Sequence, residues 1–176
     1  MGVQLDIIIP PIIVAILIIV IFRMNAFMME TSIDNHLNKD VQTLAEVAAV
    51  IIQEEMRTLK DTLKVNSDSL HFTRLDEGNT LITRDDKSIK IIREIPSFSP
   101  DTLLYPLNLT NLNFSFVSNL LTNSNYLRYT IETESRPEQH ARFREGSDTV
   151  KAFADRRILL KNMTWPHVHE DEESVE

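Results

Sequence analysis

The first third of the chain carries two hydrophobic patterns that merge without a break. Residues 7–22, IIIPPIIVAILIIVIF, hold no charged or hydrogen-bonding side chain and include nine Ile, two Val, one Leu and one Phe. On an insertion scale these side chains favour the bilayer by roughly 4–8 kcal/mol. Apolar character continues through Met24, Ala26, Phe27, Met28 and Met29, interrupted only by Arg23 and Asn25. Arg23 can extend its stem along the apolar surface and keep its charge at the interface. A helix over 10–29 is about 30 Å long, the thickness of a hydrocarbon core. Pro10 and Pro11 fit its first turn, where their missing N–H groups cost no helical bond, and residues 3–9 are then an irregular lead-in. The lead MGVQLD holds no Lys or Arg, and RMNAFMMETS after Phe22 is a poor cleavage site. The expectation is a retained single-pass anchor rather than a cleaved signal peptide.

From residue 31 the apolar surface narrows to a stripe. Residues 31–64, TSIDNHLNKDVQTLAEVAAVIIQEEMRTLKDTLK, contain no Gly or Pro. Apolar residues recur at Ile33, Leu37, Val41, Leu44, Ala48, Ile52, Met56, Leu59 and Leu63, a mean step of 3.75 residues. That step is nearer a straight amphipathic helix than the heptad seam of about 3.5. With no breaker between the two patterns, one helix is predicted from about residue 10 to 64, with a break at Thr31-Ser32, both fair N-caps, as the alternative. Leu37, Leu44, Ala48 and Ile52 are the expected packing stripe toward whatever follows.

After Asn66 the period becomes two. Leu70 and Phe72 alternate with His71 and Thr73. Polar residues 76–79, a run at 80–83, a turn at Asp85-Asp86 and a run at 88–93 complete a three-stranded meander. Three prolines within 95–106 predict a loop. Leu112, Phe114 and Phe116 mark a fourth strand. Leu127, Tyr129 and Ile131 face opposite to Arg128, Thr130 and Glu132 in a fifth, and residues 150–162 supply a sixth. The predicted organisation is lead and anchor 1–30, stalk helix 31–65, β-domain 66–165 and a disordered acidic tail 166–176. The fold class is α+β, a long helix packed on an antiparallel sheet.

Composition then removes classes of function. A net charge of −8 gives no basic footprint for nucleic acid. Without cysteine there is no disulfide, thiolate ligand or thiol nucleophile, and three isolated glycines make no phosphate-cradling loop. His167 and His169 beside Glu170 and Asp171 are better read as part of the acidic tail than as a metal site. No catalytic constellation stands out, so the expectation is a non-enzymatic protein with no cofactor. The sequons at Asn108, Asn113 and Asn162 are unremarkable in an Asn-rich chain.

The order of apolar span, amphipathic continuation and antiparallel sheet resembles type IV pilins and the pseudopilins of type II secretion systems, especially their minor subunits. LHFTRLDEGNTLITRDDKSIKIIR (70–93), LNFSFV (112–117), LRYTIETE (127–134) and RRILLKN (156–162) carry the local likeness. The resemblance implies a structural subunit that assembles with like or unlike subunits through its N-terminal helix. Its β-domain would stand outside the cytoplasm. In that family a leader is cut after a Gly, and a Glu at the fifth mature position meets a neighbour's amine. Here the matching positions are Gly2 and Asp6, the fourth residue after Gly2. Asp6 and Arg23 are the candidate assembly charges; a headgroup-level Asp6 with no partner is the plainer reading of the cost of burying a carboxylate. Two other classes fit the same pattern: a bitopic accessory or sensor subunit, and a structural membrane protein of a virus or envelope complex. Arg23 and Lys39, both after the span, favour a cytoplasmic C-terminal side.

Overall fold

The structure is a computed structural model that describes residues 2–96, 98–119, 124–136, 149–160 and 168–169, with side chains from residue 9 onward except at 61, 62, 119, 168 and 169. The chain divides into two compact units, Met1–Leu37 and Asn38–Glu176. One helix, α1 (Gly2–Met56), supplies the described part of the first unit and the opening element of the second. It begins earlier than the prolines predict, with Pro10 and Pro11 inside it. Each proline leaves the carbonyl four residues earlier without its helical donor, and the helix continues through both.

The predicted helix to Lys64 is corrected at its C-terminal end. Arg57 N–H is shared between the Gln53 and Glu54 carbonyls, and the Thr58 N–H and hydroxyl both bond Glu55 O. Residues 59–65 then form strand β1 (Leu59–Val65), followed by β2 (Ser69–Arg74), β3 (Asn79–Asp85), β4 (Ser88–Glu94) and β5 (Asp101–Pro106). Leu63 and Val65 are buried and Lys64 is exposed, an alternation of two hidden inside the apparent step of four from Leu59 to Leu63. β1 pairs antiparallel with β2, and that pairing satisfies its backbone more fully than a solvent-exposed last helical turn would.

β2, β3 and β4 make the predicted meander. The β3–β4 hairpin closes on Asp85 opposite Ser88, with Asp86 at positive φ. At the β2–β3 turn Gly78 lies against β4, where a Cβ would come within 2.5 Å of Glu94 O. The predicted loop over 95–106 is in part strand β5, paired to β4 at the sheet edge. Its prolines at 100 and 106 sit before the strand and at its last position, where a missing N–H is tolerated.

The remaining long strands are β6 (Leu109–Asn119), β7 (Ser124–Glu134) and β8 (Lys151–Leu159), and β9 (Val168–His169) closes the series. β6, β7 and β8 form a second sheet, so the single sheet predicted becomes two: β5-β4-β3-β2-β1-β9 and β6-β7-β8. Among the described residues all pairings are antiparallel except β1 with β9, which places Val168 and His169 in a strand inside the stretch expected to be a disordered tail. The rest of that stretch lies outside the described residues. The two sheets meet where Phe114 N–H donates to Ser67 O (2.9 Å), Leu109 N–H donates to Lys87 O (3.0 Å) and Lys87 pairs with Glu134 (2.8 Å). The second unit is thus α+β, with helix residues 38–56 packed on antiparallel sheets around one core.

Candidate functional site: the apolar helix and its seat on the sheets

In the first unit the side chains of residues 9–29 are exposed all round the helix. Ile9, Ile12, Ile13, Val14, Ile16 and Leu17 are among them, each about half accessible. The most apolar window of 18 residues has a mean hydropathy of 2.6 and no side chain buried. One helix near the N-terminus is therefore long and apolar enough to cross a membrane. Arg23 is exposed on it. Thr31 turns its hydroxyl back to Phe27 O at 2.9 Å, so it is helical interior rather than the N-cap of a new helix. Gly2 and Asp6 lie in the first turns of α1, and their side-chain environment is outside the described residues.

In the second unit the helix is seated by size, by hydrogen bonds and by charge. Val41, Ala45, Ala48, Ala49, Ile52 and Met56 are buried. Three alanines there let the backbone approach the sheets closely, and β7 reaches it with two side-chain hydroxyls. Thr133 Oγ1 donates to Val41 O at 3.0 Å and Tyr129 Oη to Ala49 O at 3.1 Å. Those carbonyls also accept helical bonds, and each has a second lone pair to offer. Of the four residues predicted as the packing stripe, Ala48 and Ile52 are fully buried and Leu44 is half-buried against the core. Leu37 is half-buried in the first unit.

At the C-terminal end of α1, Glu55 is only 8% exposed although it is charged. Arg93 on β4 grips it with two nitrogens, Nε at 3.1 Å and Nη2 in closer contact, and Arg74 on β2 lies 3.9 Å away. Arg74 also holds Asp76 (3.1 Å), and Arg93 faces Asp101 (3.8 Å). The Glu55 hydrogen bond holds the Arg93 guanidinium even more firmly protonated than usual. Arg156 on β8 pairs with Glu46 one helical face away. Glu54 and Arg57 beside it are exposed, and nothing in the sequence separates Glu55 from Glu54. Only the sheet beneath the helix distinguishes them. Ala45 precedes Ala48 by three residues and Ala49 by four, the spacings that share a helix face.

Tyr129 supplies a pH signature. Burial pushes its hydroxyl from the ordinary 10.0 up to about 12, with Glu46 adding to the shift and Arg156 opposing it. Below pH 10 both folded and unfolded states keep the proton, so stability is unaffected. Between about 10 and 12 the unfolded state ionises first and stability falls. Tyr129→Phe is expected to cost about 1 kcal/mol at neutral pH through the lost hydrogen bond. It should also shrink the loss of stability between pH 10 and 12; equal alkaline losses in both proteins, followed by urea unfolding, would contradict this seat.

Among the described residues no group of three or more His, Asp or Glu side chains is placed to hold a metal ion. Fold and site together define an α+β protein with one apolar N-terminal helix of membrane-spanning length. No family model, curated protein or solved structure matches the chain.

Proposed function

We propose that this chain is a structural, membrane-anchored subunit that assembles into a pilus-like or secretion-type filament through its N-terminal helix, with the β-domain outside the cytoplasm. The observation that carries this reading is the all-round apolar surface of α1 over 9–29, which buries nothing within its own chain. Such a surface needs lipid, other helices, or both in turn. The flank of the helix in the second unit supports it too. Val47 and Val50 are exposed there, 42% and 54%, beside a shallow cavity of about 320 Å³ that Thr43 and Ile51 also line. The sheets cover one face of this helix and leave an apolar strip for a neighbour.

The test is recovery from native membranes after shearing. A filament subunit appears in sheared high-mass fractions. A small detergent-soluble oligomer that shearing never releases would overturn the reading and favour the bitopic accessory subunit, to which the positive charges Arg23 and Lys39 after the span lend support. If Asp6 meets a neighbouring subunit's amine, Asp6→Ala should reduce the sheared fraction several-fold while the β-domain keeps its unfolding midpoint. Undiminished filaments from that variant would remove Asp6 from the assembly mechanism.

A further inference from the structure

Two hydrogen bonds at the ends of the β7–β8 ladder fix which way the β8 backbone points. Leu160 N–H donates to Asn125 O at 2.8 Å, and Ser135 N–H to Val150 O at 2.9 Å. Both pairs continue the register in which Tyr126 faces Leu159 and Glu134 faces Lys151. Bonded and non-bonded pairs alternate along an antiparallel ladder. Residues 152, 154, 156 and 158 therefore turn their N–H and C=O toward β7. Lys151, Phe153, Asp155, Arg157 and Leu159 turn theirs away. β8 is the last strand of its sheet, and among the described residues nothing pairs with those five backbones. A long open edge of this kind is a template for another strand.

The side chains of the same five residues lie on the solvent face, with Phe153 65% and Leu159 41% exposed. We propose that this edge pairs with β8 of a second copy of the chain, antiparallel and centred on Arg156. In that register the outward residues from 153 to 159 meet complements. Asp155 faces the second copy's Arg157, Phe153 faces its Leu159, and the two-fold axis repeats both pairs. Charge selects this register from its neighbours two residues away. Centring on Asp155 sets Asp155 against itself, and centring on Arg157 sets Arg157 against itself. Centring one residue pair earlier sets Lys151 against Arg157. The chosen register also has costs: Lys151 falls opposite Lys161, Asp155 is shared with Arg128 of its own sheet (2.8 Å), and Arg156 stands opposite its own copy on the inner face, where each is already paired with Glu46.

The pairing lies outside the filament reading. Thr133 bonds Val41 O and Tyr129 bonds Ala49 O, so the helix in this unit runs antiparallel to β7 and along β8. Two copies joined antiparallel through β8 carry these helices in opposite directions, whereas a filament packs them in one. The β8 pair is thus a separate, two-fold state of the subunit.

Because the chain has no cysteine, single substitutions report the register directly. In the full-length protein in detergent, Arg156→Cys should form a disulfide-linked dimer on mild oxidation at least ten times faster than Lys151→Cys. At the axis the two Cα atoms of a non-bonded pair stand about 4.5 Å apart, within disulfide reach, while the two Lys151 positions lie some 30 Å apart. Arg157→Pro removes an outward N–H and none of the β7 ladder, so it should abolish the dimer by sedimentation and keep the thermal midpoint. In the wild-type dimer the amides of 153, 155, 157 and 159 should exchange slowly with deuterium, and in Arg157→Pro those of 153, 155 and 159 should exchange fast. A monomeric wild type overturns the proposal, as do equal cross-linking rates at 151 and 156 or slow exchange of those amides in a monomer. Loss of sheared filaments with an intact β8 cross-link would sink the filament reading alone.

Discussion

Glu55→Ala is expected to lower the stability of the β-domain by roughly 3 kcal/mol, among the largest effects available to a single polar substitution here. The reason is what remains behind. The Arg93 side chain is 26% exposed and that of Arg74 15%, and both lose the carboxylate that compensates their burial. Asp76 and Asp101 stay in place but hold only the outer sides of the two guanidinium groups. Removing one partner of a buried pair costs more than the pair contributes, because an unpaired charge stays in a low-dielectric site. The urea midpoint should fall by about 1.5 M, taking a slope of about 2 kcal/mol per M for a domain of this size. Glu55→Met combined with Arg93→Met should recover much of the loss, since the pair is replaced by apolar groups rather than halved. If Glu55→Ala unfolds within about 0.3 M of wild type, Glu55 does not join helix to sheet.

Placing two carboxylates in the apolar run, Ile16→Asp with Ile19→Asp, should release the protein from carbonate-washed membranes. Each aspartate near a helix centre costs about 3 kcal/mol on the insertion scale and also removes an isoleucine's favourable contribution. Together they shift the balance by roughly 6–8 kcal/mol, comparable to the whole favourable sum for residues 7–22. Both positions lie in the window where no side chain is buried, so no contact within the chain is lost and the core around Ile52 and Tyr129 is untouched. The Tyr129 and Glu55 signatures should therefore persist in the released protein. Full retention of the double variant in washed membranes would mean that something other than this helix holds the protein there.

Much of the β-domain was legible in the sequence because its strands alternate cleanly. Leu127, Tyr129 and Ile131 are buried while Arg128, Thr130 and Glu132 are half-exposed, as a period of two requires. The meander from β2 to β4 could be read for the same reason, with polar turns punctuating it. β1 could not. Leu59 and Leu63 sit four apart, which suits a helix, and no Gly or Pro marks the end of α1; the pairing of β1 with β2 decides it. β5 was hidden by its flanking prolines, which forbid an interior strand and are compatible with an edge.

The sequence by itself determined the anchor-length helix, because hydrocarbon transfer is a property of side chains summed along a segment and needs no partner. It also determined the α+β class and the absence of any thiol chemistry. The tertiary structure alone decided that the strands split into two sheets, that Glu55 is buried while Glu54 is solvated, and that β8 ends its sheet with its outer backbone unpaired among the described residues. Those outcomes depend on which strands meet and in what register, and contacts between residues 38 to 110 positions apart, such as Glu55 with Arg93 and Glu46 with Arg156, leave no periodic trace in the chain.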